Sequence, residues 1–159
     1  MSPGLTIDDL ARFLSHATWL ERRLFEVLGR WVTTTPEPGI KLALGRHSRH
    51  HAWHAQLLEP LRPDTRDHHV EQRAPLDKEW RTRVSRMLAA ATTSTRLERA
   101  LDVLVGTIAC YEQHLAAMRP VRDGPARRAV GLVRALERAE LAELEALRRI
   151  DAGTGSIGR

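Results

Sequence analysis

The sequence predicts an all-α fold: a four-helix bundle of two hairpins joined by one long crossover that carries an additional shorter helix. Three observations predict it. Apolar residues recur at helical spacing through four long stretches, and nowhere do apolar and polar residues alternate as in a half-buried strand. Breaker-rich segments divide the first pair of stretches at residues 33–39 and the last pair at residues 120–125, whereas residues 60–94 separate the two pairs. Hydrophobic residues make up 42% of the chain but aromatics only 4%, a balance that suits Leu, Ala and Val packed between helices.

The first long helix is expected from Thr6, where Thr6 and Asp9 form a capping-box signal, to about Val32. Leu10, Leu14, Ala17, Leu24, Phe25, Leu28 and Val32 make its apolar stripe, with Glu21 at the centre of the stripe. A carboxylate there costs several kcal/mol to bury unless a cation, a hydrogen bond or a metal compensates. Pro36, Pro38 and Gly39 end this helix, and a second one returns antiparallel over about 39–59. It carries His47, His50, His51 and His54 in one arc about 100° wide, on the same side as Ile40, Ala43, Leu44 and Leu58. Counting outward from the turn, Glu21 comes level with His51.

Pro60 and Pro63 end the second helix, and residues 64–72, with His68 and His69, read as loop. A shorter helix is expected over about 76–91. Thr95 with Glu98 is a second capping signal, opening a third long helix to about Arg119. Its stripe reads Leu97, Leu101, Val105, Ile108, Ala109, Leu115 and Ala116, which centres Glu112 and leaves Tyr111 at the edge as an inward hydrogen-bond donor. The fourth, over about 124–150, presents Ala129, Val133, Leu136, Leu144 and Leu147, with Glu140 central and Glu143 marginal. Counted from the turn at residues 120–125, Glu112 is level with about Gly131 and Glu140 with about Val103, an offset of roughly 13 Å. Asp102 is the alternative partner for Glu140. Residues 1–151 are expected to form a single helical domain, and residues 152–159 a flexible tail.

Composition narrows the function classes. The formal net charge is +5, but the arginines alternate with Asp and Glu along helices, as on a solvated face, and no nucleic-acid motif accompanies them. Cys110 is the sole cysteine, which excludes an internal disulfide and suits a reducing compartment. No stretch reads as a signal peptide or a membrane span, so a cytoplasmic protein without a membrane partner is expected. Trp19, Trp31, Trp53 and the arginines of the fourth helix could serve an interface such as a homodimer, although rim packing explains them as well.

Each long helix thus turns a ligand-capable side chain inward: Glu21, the histidines, Glu112, and Glu140 with Glu143. Carboxylates balance the charge of a metal ion and imidazoles add directional donors, a combination suited to iron, manganese or zinc. On this pattern the chain resembles the ferritin-like superfamily over about residues 8–150. The run Leu24-Phe25-Glu26-Val27-Leu28-Gly29-Arg30-Trp31, with the histidines through His54, is also similar to small actinobacterial ferritin-like proteins of unassigned function. That superfamily places one Glu on each of its first and third helices and Glu-x-x-His on each of the second and fourth. The resemblance implies metal ligands at Glu21, His51, His54, Glu112 and Glu140, with His47, His50 and Glu143 as supporting or alternative ligands. His51 stands where Glu is expected and Glu143 where His is expected, and an imidazole cannot bridge two metals as a carboxylate does. The implied cofactor is iron or manganese ahead of zinc. The implied activity is a metal-dependent oxidoreductase or oxygenase acting on a small-molecule substrate, with no catalytic residue singled out. The alternative is a metal-free scaffold or binding module with a buried His/Glu network. Bundles for thiol transfer use three histidines including His-x-x-x-His. His47 with His51 has that spacing, but the fourth helix supplies no histidine.

Overall fold

The computed structural model describes residues 4–63 and 78–155. Its helices are α1 (Ile7–Val32), α2 (Pro38–Leu58), α3 (Lys78–Leu88), α4 (Thr93–Ala117) and α5 (Gly124–Gly155), with a 3-10 turn at Glu59–Leu61 closing α2. No strand occurs among the described residues. α1 packs along α2, α4 along α5, and α2 against α5, while α3 lies on α4 and touches α1. The bundle with one crossover helix is therefore as expected. α5 continues to Gly155, past the expected end near residue 150. His68 and His69 lie outside the described residues.

Each long helix buries residues at alternating steps of three and four. In α1 these are Leu14, Ala17, Glu21, Leu24, Leu28 and Trp31; in α2, Ile40, Leu44, His47, His51, His54 and Leu58. In α4 they are Leu97, Leu101, Leu104, Ile108 and Tyr111; in α5, Ala126, Val130, Val133, Glu137, Glu140 and Leu144. Such a stripe repeats every 3.5 residues on average, the spacing that keeps one seam facing its neighbours in a nearly antiparallel bundle. The apolar members form two separate clusters. One contains Leu24, Trp31, Leu44, Leu104 and Leu144, and the other Leu14, Leu58, Tyr111, Val130 and Val133. Between them, on α1, α2 and α5, the stripe positions are Glu21, His47, His51, His54, Glu137 and Glu140. The site is a polar layer sandwiched between two hydrophobic cores.

The helix starts follow local chemistry. The Asp9 amide donates to Thr6 Oγ1 at 3.0 Å and the Thr6 amide to Asp9 Oδ2 at 3.1 Å, the reciprocal capping box. Thr6→Ala is expected to lower stability by about 1 kcal/mol, read as a lower urea midpoint at unchanged slope. α4 starts at a different cap from the expected Thr95–Glu98 pair. Thr92 adopts the extended N-cap conformation, and it and Thr95 exchange backbone-to-hydroxyl hydrogen bonds of 3.1 and 3.2 Å. A hydroxyl three residues on fills the place usually held by Glu or Gln, so the helix begins one turn earlier.

Two contacts set the registers. The Ser48 hydroxyl donates to the Phe25 carbonyl at 2.8 Å, and a Cβ on Gly29 would come within 3.0 Å of Ser48 Oγ. Gly29 therefore lets α1 and α2 approach closely. In the second hairpin Met118 is extended, and the Arg119 amide donates to the buried Asp123 carboxylate at 2.8 Å. This connection carries the chain outward before it reverses, so α5 starts beyond the end of α4. Arg134 and Arg138 consequently flank Glu112, where a symmetric turn would bring Gly131.

Candidate metal centre

The layer assembles from the middle of each hairpin. Glu21 on α1, His51 and His54 on α2, and Glu137 on α5 each offer a ligand atom, all within 4.8 Å of one another, and all four are buried. His51 Nδ1 lies 2.6 Å and His54 Nδ1 3.1 Å from Glu21 Oε2. The other oxygen of Glu21 accepts from the Tyr111 hydroxyl of α4 at 2.6 Å. His51 Nε2 faces Glu140, 3.2 Å from Oε2 and 3.3 Å from Oε1. Outward from there, His47 Nδ1 is 3.3 Å from Glu140 Oε2, and His47 Nε2 is 2.8 Å from Glu143, which also pairs with Arg46. The polar groups thus run from the centre of the bundle to its surface.

The charges follow from this geometry. Burial opposes a charge on His51, but the Glu140 and Glu21 carboxylates and their hydrogen bonds outweigh it and lift its pKa to about 10. Burial would raise Glu21, yet the charge of His51 and hydrogen bonds from His51, His54 and Glu137 hold it well below the usual carboxylate range. Glu140 is lowered in the same way: burial opposes, and the charge and hydrogen bond of His51 prevail. Glu137 goes the other way. Burial first, then the charge of Glu21 and a shared hydrogen bond with it, push Glu137 well above the usual range, so it is the neutral partner of the coupled pair. Among the described residues, no donor beyond the proton shared with Glu21 reaches either Glu137 oxygen, and His54 Nε2 is likewise buried with no hydrogen-bond partner. Tyr111 is raised by burial and then by the charges of Glu21 and Glu137, so its hydroxyl remains a donor.

These directions set the pH dependence of the metal-free chain. His51 titrates above its unfolded value of 6.5, so its contribution is complete below pH 6.5 and is lost as the pH rises toward about 10. Glu137, also raised, adds to that loss from pH 4.5 upward. Glu21 and Glu140 are lowered, so their contribution holds above pH 4.5 and is lost as the pH falls below it. Urea unfolding in chelator is expected to show falling stability from pH 6.5 to pH 10, with the slope reduced in His51→Gln. A wild-type slope no steeper than that of the variant would contradict the assignment.

Among the residues expected from the sequence, Glu21, His51, His54 and Glu140 come together, and His47 and Glu143 lie behind Glu140. His50 packs its ring edge-on to His47 at 5.9 Å and is half-buried at the margin of the layer. Glu112 stands apart. It faces outward, 39% exposed, and pairs with Arg138 and with Arg134 at 3.7 Å. Asp102 is also on the outer side, 3.8 Å from Arg83. The reason is the phase of α4. Val105, counted as core from the sequence, is 54% exposed, and Glu112 lies seven residues on, on the same side. Leu104 belongs to the buried stripe instead and brings Tyr111 inward. Glu137 was missed. The signal was present, because Glu137 lies four residues after Val133 and Glu140 four before Leu144, within the three-four stripe of α5. Glu137-x-x-Glu140 therefore occupies the place expected for Glu140 with Glu143.

No protein-family model and no curated protein matches the chain. Among solved structures it is similar to a dodecameric thioferritin of the bacterial domain, the bacterioferritin-related protein from Bacteroides fragilis. The two share 16% identity with a TM-score of 0.70, over 98% of this chain and 94% of that one. None of the helices described here is long and apolar enough to cross a membrane. Four long helices in two hairpins, one crossover and this structural likeness together show that the chain has the ferritin-like fold.

Proposed function

We propose that this chain is a ferritin-like metal-binding protein whose buried layer holds a divalent transition-metal ion through Glu21, His51, His54 and Glu137. The observation that carries this reading is Glu137. It is a fully buried carboxyl whose oxygens, among the described residues, meet no donor beyond the proton shared with Glu21, and it offers an atom to a group of ligand-capable atoms within 4.8 Å of one another. Coordination would use that buried acceptor capacity. Two carboxylates and two imidazoles suit iron, manganese or zinc, and two imidazoles with a carboxylate are a common non-haem iron set. The surroundings are also those of a ligand set. His51 directs Nε2 at Glu140, the arrangement that fixes the tautomer of a ligating imidazole, and Tyr111 orients Glu21.

When bound, iron would supply one-electron redox chemistry. The chain's own residues do the rest. Tyr111 holds the Glu21 carboxylate in place, Glu140 holds His51, and the two apolar clusters keep bulk water out. Each of Glu21, His51, His54 and Glu137 is at most 1% exposed, which suits handling of the ion itself better than attack on a bulky organic substrate. Binding of the ion itself is therefore favoured over oxygenation of a large substrate. The similar thioferritin is dodecameric, and self-association of this chain belongs to the same proposal, to be read by sedimentation. A metal-free network is the second reading, favoured by the ion pairs that already join His51 to Glu21 and Glu140.

Loading must displace protons held by His51 and Glu137, so apparent affinity is expected to rise with pH. Calorimetry in buffers of different ionisation enthalpy reads that proton release directly. The deciding test is elemental analysis of protein purified without a nickel column, followed by anaerobic titration with Fe(II) and Mn(II). Saturable binding that is lost in the Glu21→Ala/His54→Ala double variant supports the site. Retention of neither iron nor manganese after anaerobic reconstitution rejects it.

A further inference from the structure

We infer that the layer is built for one ion, and that Tyr111 and His51 are the residues that exclude a second. This rests on the metal-binding reading above. A dinuclear bundle site draws a Glu from each of two helices and Glu-x-x-His from each of the other two, with carboxylates spanning the ions. Here α4 contributes Tyr111 where that arrangement needs a carboxylate. The phenol is fully buried, packed edge-on against Phe13 at 5.8 Å, and its hydroxyl donates to Glu21 Oε1 at 2.6 Å. It adds no anionic ligand, and it occupies the Glu21 oxygen that would have to reach a second ion. Only Oε2 remains directed at His51 and His54.

His51 closes the other side. Its Nδ1 faces Glu21 and its Nε2 faces Glu140, so both nitrogens are engaged. A neutral imidazole offers one lone pair to one ion and keeps its second nitrogen as a donor. The Glu that α2 would need for bridging is therefore replaced by a group that serves a single ion and is anchored from behind. Glu140 reinforces this. It stands three residues after Glu137, where a His ligand would complete the second half-site, and its contacts are to His51 and His47 instead. Charge agrees: Glu21 and Glu137 together match one divalent ion, and a second would have only Glu140 to balance it in a buried layer.

The experiment is metal stoichiometry in the full chain. Wild type, Tyr111→Phe, Tyr111→Glu and Tyr111→Glu/His51→Glu are loaded anaerobically with Mn(II) and read by elemental analysis per chain. Electron paramagnetic resonance then separates isolated from exchange-coupled ions, and circular dichroism confirms the helical content. Wild type and Tyr111→Phe are expected to hold one ion with an uncoupled signal, because removing the hydroxyl adds no ligand. The double variant is expected to hold two, with a coupled signal. Two ions in the wild type, or one in a folded double variant, would overturn the inference. Should the double variant not fold, a second ion in Tyr111→Glu would support the inference and a single ion in that folded variant would overturn it. If wild type holds none, the metal-binding reading fails and the one-ion inference falls with it, whereas two ions in wild type overturn this inference and leave the metal-binding reading standing.

Discussion

Replacing Glu137 with Gln is expected to weaken metal binding by at least about 100-fold while changing the stability of the metal-free chain by no more than about 1 kcal/mol. The two outcomes separate because Glu137 is the neutral member of its coupled pair when no metal is bound. An amide has nearly the same shape as the protonated carboxyl and keeps a donor toward Glu21. It cannot supply an anionic oxygen to a dication. Anaerobic Fe(II) titration and urea unfolding in chelator, run on the same preparations, check both halves. Wild-type affinity in the variant would remove Glu137 from the ligand set, and a large loss of stability would mean that it is ionised in the metal-free chain.

The matching substitution at Glu21 is expected to behave in the opposite way. Glu21→Gln should cost about 3–5 kcal/mol in the metal-free chain, the usual consequence of removing one partner from a buried ion pair. Glu21 is charged, fully buried, and accepts from His51, His54 and Tyr111 at 2.6 to 3.1 Å. Removing its charge leaves the His51 imidazolium with Glu140 alone and forces the amide nitrogen toward groups that are themselves donors. For a chain of this length the melting temperature should fall by roughly 10 °C. A loss below about 1 kcal/mol would show that the layer carries little charge on folding, contrary to the lowered Glu21 and raised His51. Two carboxylates of the proposed site are thus expected to respond differently to the same change, because one is ionised in the metal-free chain and the other is not.

Much of this was legible from sequence where a side chain's place depends on one helix and a short turn. Glu21 and His51 could be matched because residues 33–37 form a tight connection, so helix rise alone sets the register. The second hairpin resisted the same count. Extended Met118 and the Asp123 turn start α5 beyond the end of α4, a displacement that no periodicity in either helix records. Phase was the other source of error. Successive residues differ by about 100° around a helix, so taking Val105 rather than Leu104 as core exchanged the roles of Glu112 and Tyr111. On α5, Leu136 and Leu147 extend the apolar pattern toward Glu143, one turn past the buried Glu137–Glu140 pair.

By itself, the sequence determined the all-α class, the hairpin plan, the crossover and the inward His47, His51 and His54, because each follows from local spacing and breaker residues. The tertiary structure decided which carboxylates meet those histidines. It set the axial displacement of α5, turned Glu112 out to Arg134 and Arg138, and brought Glu137 and Tyr111 in. Ligand geometry is sensitive to shifts of one residue along or around a helix, whereas a hydrophobic stripe tolerates them. The architecture could therefore be read from periodicity, and the composition of the site only from packing.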